Sequence, residues 1–160
     1  MSDKRQTRRG FLGSACVVGS GTALLAGPAS SASAEGERRR VVGGSPIAVF
    51  SRAVVFDRLV YASGVVGNKP GTLEMAGEDF SSQCRQAMEN LKASVEAAGA
   101  RLRSALKCTC FLTAAADFAE FNRIYRGYFP SDPPARSTVV VKELVVAGAK
   151  LEIDCVACLD

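Results

Sequence analysis

The 160-residue chain contains no histidine, and this absence removes several kinds of catalytic and metal site. A serine or cysteine nucleophile activated by histidine is excluded, as are an HExxH metal site and a histidine general base. Acid–base chemistry must therefore come from a carboxylate, lysine, tyrosine, cysteine or an ordered water molecule. The composition, 48% hydrophobic and 22% charged, is that of a globular protein able to bury one core.

The chain lacks an apolar run long enough to span a membrane, although its first residues are organised like an export signal. The basic residues that open it are Lys4, Arg5, Arg8 and Arg9. A modestly apolar stretch, 11–26, is diluted by glycine and leads to the small residues Ala32-Ser33-Ala34. This pattern predicts a signal peptide over residues 1–34, and the paired arginines indicate the twin-arginine route. A disordered basic tail is the alternative.

Several expectations follow from that signal. The protein would be exported to the periplasm or the exterior, with cleavage after Ala34. It would contact the twin-arginine export machinery only transiently and would have no stable membrane anchor.

A strong charge of one sign is also missing once the predicted signal is set aside. Residues 1–34 hold four of the 20 basic residues and one of the 16 acidic ones, so 16 basic and 15 acidic residues remain, a net charge of +1. Phosphate binding needs a basic patch, and the short run 38–40 is more typical of a solvated tail. We expect no nucleic-acid partner.

The cysteines outside the predicted signal peptide are odd in number. Cys16 lies in the predicted signal, and the five others are Cys84, Cys108, Cys110, Cys155 and Cys158. An odd number cannot all pair within one chain, and a twin-arginine substrate folds in the reducing cytosol. A four-thiolate zinc site is conceivable, but the closely spaced pairs lie in apolar, strand-like runs. Most of these cysteines are expected to be small buried hydrophobes, and a thiol-based redox or chaperone role is an alternative.

Hydrophobic patterning predicts a single α+β domain over residues 47–160, preceded by a flexible tail over 35–46. The predicted elements are a hairpin of strands 53–56 and 59–63, helix 79–98, strand 106–113, a helix from Asp117 to about Phe129, and strands 138–146 and 150–159. In strand 106–113 the alternation places Leu106 on the apolar face, and Asp117 with Glu120 resembles a capping box at the start of the second helix. An extra strand near Val41 or Ile47 is possible. The order predicts a mixed sheet with two helices on one face, so the bare second face favours oligomerisation.

Two charged residues stand out at strand positions. Arg136 follows a proline-stiffened turn and opens a β-branched strand, and Glu152 lies among apolar neighbours in the last strand. A guanidinium can donate two parallel hydrogen bonds to a carboxylate, and a partly buried glutamate can accept a proton or hold a water molecule. The pair is therefore either a structural ion pair at a strand end or part of a site.

Several motifs follow one another in a characteristic order over roughly residues 47–158. They are Tyr61-Ala62-Ser63-Gly64, Gln83, Asn90–Ala93, Glu96–Ala100, Lys107–Leu112, Asp117-Phe118, Phe121–Phe129, Pro134–Ser137 and Leu151–Ile153. In this order and spacing the chain resembles the RidA/YjgF family of enamine/imine deaminases. The resemblance implies a chorismate-mutase-like fold, a homotrimer with three intersubunit clefts, and no cofactor or metal.

The resemblance also implies roles for individual residues. Arg136 would grip the carboxylate of a 2-imino or 2-enamino acid, assisted by the main chain around Thr138. Glu152 would activate a water molecule that attacks the imine carbon, releasing ammonia and a 2-oxo acid. Further positions that match the cleft are Ser63, Gly64, Asn122, Tyr125 and Phe50, the last where the family often has tyrosine. Thr138 stands where cysteine is frequent.

Other functions stay open at this point. A non-catalytic trimer of the same fold would bind a small carboxylated metabolite in the same cleft. A ribonuclease role is disfavoured by the near-neutral charge and the export signal.

Overall fold

The computed structural model of the chain describes residues 38–44 and 49–160, so the predicted signal peptide, 1–34, lies outside the described residues. Its elements are β1 (Arg39–Gly44), β2 (Ser51–Phe56), β3 (Leu59–Val66), α1 (Phe80–Ala97), β4 (Ala100–Leu112), a 3₁₀ turn (Ala115–Asp117), α2 (Phe118–Tyr128), β5 (Ala135–Val140) and β6 (Leu151–Leu159). The predicted order of strands and helices is confirmed, with the extra strand at the start.

The six strands form one mixed sheet in the order β1-β2-β3-β6-β4-β5. All neighbours are antiparallel except β4 and β5, which are parallel and are connected through α2. The helices pack on one face of the sheet, so the predicted α+β layer architecture is confirmed. The last strand, β6, pairs with β3 and β4 and occupies an inner position of the sheet.

Helix α1 is set by local chemistry. The Asp79 side chain accepts a hydrogen bond from the backbone N–H of Ser82 at 2.8 Å and caps the first turn. Gly99 ends the helix with φ of +95°, which glycine adopts at little cost. The apolar face of α1 is fully buried against the sheet and consists of Cys84, Ala87, Met88, Leu91 and Val95.

Strand β1 corrects one boundary, because residues 39–44 lie inside the predicted tail over 35–46. Val42 is buried and pairs with Ala53 on β2. The sequence indicated an extra strand near Val41 or Ile47, but the arginines before Val41 favoured a tail over most of this segment. The edge strand forms with one apolar side chain, that of Val42, directed to the core.

Strand β4 is longer than predicted and contains a bulge. Ala105 pairs with Ala157 and Lys107 with Val156, so Leu106 is an extra residue. Leu106 is therefore half exposed, whereas strict alternation placed it in the core.

The entry to α2 also differs from prediction. Asp117 makes no side-chain capping bond, and Glu120 instead contacts Arg123 and Ser81. The predicted capping box is wrong because a 3₁₀ turn precedes the helix. Strand β5 ends at Val140 rather than at Val146.

The sheet face opposite the helices carries apolar side chains that this chain leaves uncovered. Phe56, Tyr61 and Val139 remain between 43% and 47% exposed on it. Among the described residues, the helices are too short or too polar to cross a bilayer.

Candidate functional site

Glu152 lies near the start of β6, on the sheet face away from the helices. It pairs with Phe111 on β4 and with Val66 on β3. Its neighbours Leu151 and Ile153 are fully buried on the helix side, so strand alternation directs Glu152 to the other face.

A bulge at Ser63 and Gly64 makes room for the Glu152 side chain. Ala62 pairs with Cys155 and Val65 with Ile153, so the bulge interrupts the β3–β6 register. A Cβ added to Gly64 would lie 2.9 Å from Cδ of Glu152, closer than real Cβ contacts allow. Glycine is therefore required for the carboxylate to lie against this backbone.

The Glu152 side chain lines a groove of about 560 Å³. The groove is lined by Phe50, Ser63 and Gly64 of the predicted site, and by Arg52, Asn90 and Ser94. The Ser63 hydroxyl donates to the Ser51 carbonyl at 2.7 Å, which ties β3 to β2 beside the groove. The structure thus brings four predicted residues together: Phe50, Ser63, Gly64 and Glu152.

Burial raises the pKa of the Glu152 carboxyl, and the nearby Asp154 carboxylate adds to the effect. Within residues 38–44 and 49–160, no lysine or arginine nitrogen lies within 4.0 Å of Glu152. The carboxylate is therefore a stronger proton acceptor than an ordinary surface glutamate.

Arg136 belongs to a second group of predicted residues. It pairs with Cys108 in the parallel ladder, and its side chain faces α2. Its Nη2 donates to Oδ1 of Asn122 at 2.6 Å. The guanidinium carbon lies 4.7 Å from the ring centroid of Tyr125 and 5.1 Å from that of Phe121.

Of the aromatic rings that contact Arg136, Tyr125 was predicted as a site residue, whereas Phe118 and Phe121 were not. Phe118 also lies under the guanidinium, at 5.8 Å. The helical spacing of 118, 121, 122 and 125 was the available signal, since these positions share one face of α2. Together they hold the guanidinium in one orientation.

The hydroxyls of Tyr125 and Thr138 are buried beside this group. Neither has a hydrogen-bond partner among the described residues. Burial raises the pKa of Tyr125, with the Cys108 thiol as a further cause, so its hydroxyl stays protonated. A pocket of about 380 Å³ is lined by Asn122, Tyr125 and Arg136, together with Arg126, Phe129, Pro133 and Pro134.

The two groups do not meet within one chain. Arg136 lies on the helix face of the sheet and Glu152 on the opposite face, and they line different pockets. The ion pairs of the described residues are Lys69–Glu74, Arg101–Asp160 and Arg123–Glu120. The interpretation of Arg136 and Glu152 as a structural ion pair is therefore wrong for a single chain.

The five cysteines within residues 49–160 are free thiols, and all of them but Cys158 are buried. Burial raises the pKa of Cys84 and of Cys110 to about 12, which makes both poor nucleophiles. Within the described ranges no three histidine, cysteine, aspartate or glutamate side chains are grouped to hold a metal ion.

The model of the family described as Endoribonuclease L-PSP matches residues 43–159 of this chain. The chain belongs to the L-PSP (RidA/YjgF) family. The match spans β2 to β6 and includes both groups of site residues.

Three curated relatives of this family member are similar over most of the described domain. Protein DfrA of Myxococcus xanthus is 42% identical over 69% of this chain and 86% of its own length. Reactive Intermediate Deaminase A, chloroplastic, of Arabidopsis thaliana is 40% identical over 69% of this chain and 58% of its own length. A 2-iminobutanoate/2-iminopropanoate deaminase of Dermatophagoides farinae is 36% identical over 72% of this chain and 89% of its own length.

A solved structure gives the same fold. The crystal structure of E. coli TdcF with bound serine is 31% identical, with a TM-score of 0.69. It matches 76% of this chain and 99% of that chain.

Proposed function

We propose that the protein is a hydrolase that converts 2-imino or 2-enamino acids into 2-oxo acids and ammonia. The observation that carries this proposal is the Glu152 carboxylate, which is partly buried against Gly64 and has no cationic partner in the described chain. The names of the Arabidopsis and mite relatives support the reaction class.

Arg136 would hold the carboxylate of the substrate. Its guanidinium is oriented by Asn122 and by the aromatic face of α2, so little rotational freedom is lost on binding. A planar fork donates two charge-assisted hydrogen bonds to a carboxylate, which fixes the plane of the adjacent imine carbon.

Glu152 would act on water. The carboxylate accepts a proton from a water molecule whose oxygen attacks the imine carbon. That proton passes to the nitrogen, which gives a carbinolamine that carries a hydroxyl and an NH₂ group. Glu152 then moves the remaining hydroxyl proton to the nitrogen, and ammonia leaves as the C–N bond breaks and the C=O bond of the 2-oxo acid forms. An imine is already electrophilic, so orientation and one proton acceptor suffice, and the scheme needs no metal or cofactor.

We further propose a homotrimer in which Arg136 of one subunit and Glu152 of the next form one cleft. Two features support this arrangement. The groups lie on opposite faces of the sheet in one chain, and the sheet face away from the helices has uncovered apolar side chains.

Export is also part of the proposal. Residues 1–34 would direct the chain to the twin-arginine machinery, as their paired arginines and small residues indicate. Cell fractionation of the protein and of a variant with Arg8 and Arg9 both changed to Lys tests it. Export of both proteins in equal amounts would contradict the proposed route.

A non-catalytic protein that binds a carboxylated metabolite is the second candidate. The serine in the E. coli TdcF structure favours it, since that ligand carries a carboxylate. Glu152→Gln separates the two candidates, because it removes the proton acceptor and retains the size of the side chain.

The deciding experiment measures ammonia and 2-oxo-acid release from imines that an amino-acid oxidase generates in situ. We expect the protein to accelerate release above the spontaneous rate, and Arg136→Ala or Glu152→Gln to abolish the acceleration. Arg103→Ala is the matched control, since Arg103 is an exposed arginine of β4 outside both groups. An absence of acceleration by the wild type would refute the proposed hydrolase.

A further inference from the structure

Arg52 is the cationic side chain of the groove that contains Glu152. It lies on β2, beside Phe50 and across the groove wall from Ser94 on α1. The other charged lining residue among those described is Glu152 itself, and most of the remaining surface is apolar. The described residues therefore give the groove one cation and one carboxylate along an apolar wall.

The side chain of Arg52 is held in place although it is exposed. Its Nε donates to Oγ of Ser94 at 3.0 Å, and Oγ of Ser94 donates to the Asn90 carbonyl at 2.9 Å. Ser94 is only 1% exposed, so this acceptor is rigid. The aliphatic part of the Arg52 side chain lies beside Gly43 of β1. A Cβ added to Gly43 would be 3.7 Å from Cβ of Arg52, an ordinary packing distance.

The charge of Arg52 is not neutralised by the described residues. No carboxylate oxygen of residues 38–44 or 49–160 lies within 4.0 Å of it, and its two Nη atoms have no hydrogen-bond partner there. An oriented guanidinium at the side of a groove, with both Nη groups unbonded to any described residue, is suited to a planar anion.

We propose that Arg52 binds a second carboxylate, at the end of the substrate side chain, and that the protein therefore favours dicarboxylic imino acids. This inference rests on the proposed hydrolase function and names its substrate class. Arg136 binds the carboxylate next to the imine carbon, and Glu152 activates the water molecule that attacks that carbon. Arg52 binds the carboxylate at the far end of the side chain. Val65, Val66 and Val146 line the same groove and contact the intervening methylene groups.

The test compares two imines that differ in the distal carboxylate. Oxidases generate 2-iminoglutarate from glutamate and 2-iminobutanoate from 2-aminobutanoate in the presence of the full-length protein. We expect Arg52→Gln to lower the ratio of kcat/KM for the dicarboxylic imine to that for the monocarboxylic imine at least about tenfold, because a charge-assisted hydrogen bond is lost. Arg52→Lys should retain part of the preference, since it keeps the charge but loses the fork.

Arg103→Gln is the matched control, since it makes the same charge change on an exposed part of β4 and should leave the ratio unchanged. A ratio that stays within twofold of the wild type in Arg52→Gln, while both imines are hydrolysed, would overturn the inference.

A binding measurement separates this inference from the hydrolase proposal. Calorimetry compares 2-oxoglutarate with 2-oxobutanoate on the wild type and on Arg52→Gln. If the wild type hydrolyses neither imine, the hydrolase proposal fails, and a selective loss of 2-oxoglutarate affinity of about tenfold still supports Arg52 as a carboxylate site. Equal affinities of the wild type and the variant for 2-oxoglutarate would refute it.

Discussion

Mixing two inactive variants tests whether each site is built from two subunits. In the proposed trimer, one site uses Arg136 of one chain and Glu152 of its neighbour. Arg136→Ala chains still supply Glu152, and Glu152→Gln chains still supply Arg136. Each variant alone is expected to be inactive, whereas mixed trimers should regain activity.

The size of the recovery follows from the separation of the two groups in the structure. Consider randomly mixed trimers with equal amounts of both variants. A site is intact only when a Glu152→Gln chain supplies its Arg136 and an Arg136→Ala chain supplies its Glu152. This occurs at about one quarter of the sites, so the specific activity should approach about 25% of wild type. A site contained within one chain predicts no recovery at all.

A second mixture checks the same arithmetic. Wild type mixed equally with a chain carrying both substitutions should retain about 25% of wild-type activity if sites are shared, and about 50% if they are not. Differently tagged chains are co-expressed, the trimers are purified without sorting by tag, and ammonia release from 2-iminobutanoate is measured. Zero activity in the first mixture together with 50% in the second would refute the shared site.

Three further predictions concern the residues around the site and the core. Gly64→Ala should lower kcat about tenfold to a hundredfold with a smaller effect on KM, because the added Cβ displaces Glu152; an unchanged kcat in steady-state kinetics would contradict this. Burial raises the pKa of Glu152, and activity is lost as the pH falls through that pKa. The acid limb of the pH profile of kcat should therefore lie above the ordinary glutamate value of 4.5, and a limb at or below 4.5 would contradict the assignment. Gln83→Ala should lower the free energy of unfolding by about 2–4 kcal/mol, measured in denaturant titrations. The buried side-chain amide of Gln83 donates to two loop carbonyls and accepts from one backbone N–H, and a loss below about 1 kcal/mol would contradict this prediction.

Elements with a strong local signal were predicted well. Helix α1 has an aspartate cap, one apolar face and a terminating glycine, all within twenty residues of each other. The β2–β3 hairpin is confirmed, with Asp57 at φ of +52° in its turn. Strand β6 alternates as expected, because its inner position in the sheet buries every second side chain.

Features that depend on pairing between distant strands were missed. The bulge at Leu106 was not predicted, and for β1 the sequence indicated only an extra strand near Val41 or Ile47 without its bounds, because both features depend on the register of a neighbouring strand. The same holds for β5, which begins early enough to place Arg136 inside the ladder with Cys108.

By itself, the sequence determined the type of each main element and the identity of the chemical groups, since caps, alternation and helical periodicity act over a few residues. It also excluded every mechanism that needs histidine. Only the tertiary structure decided where those groups lie: strand order and parity put Arg136 and Glu152 on opposite faces of one sheet, and the bulge at Gly64 opened the space beside the carboxylate. Side-chain direction in a sheet depends on register, and register is a property of paired strands that no single segment contains.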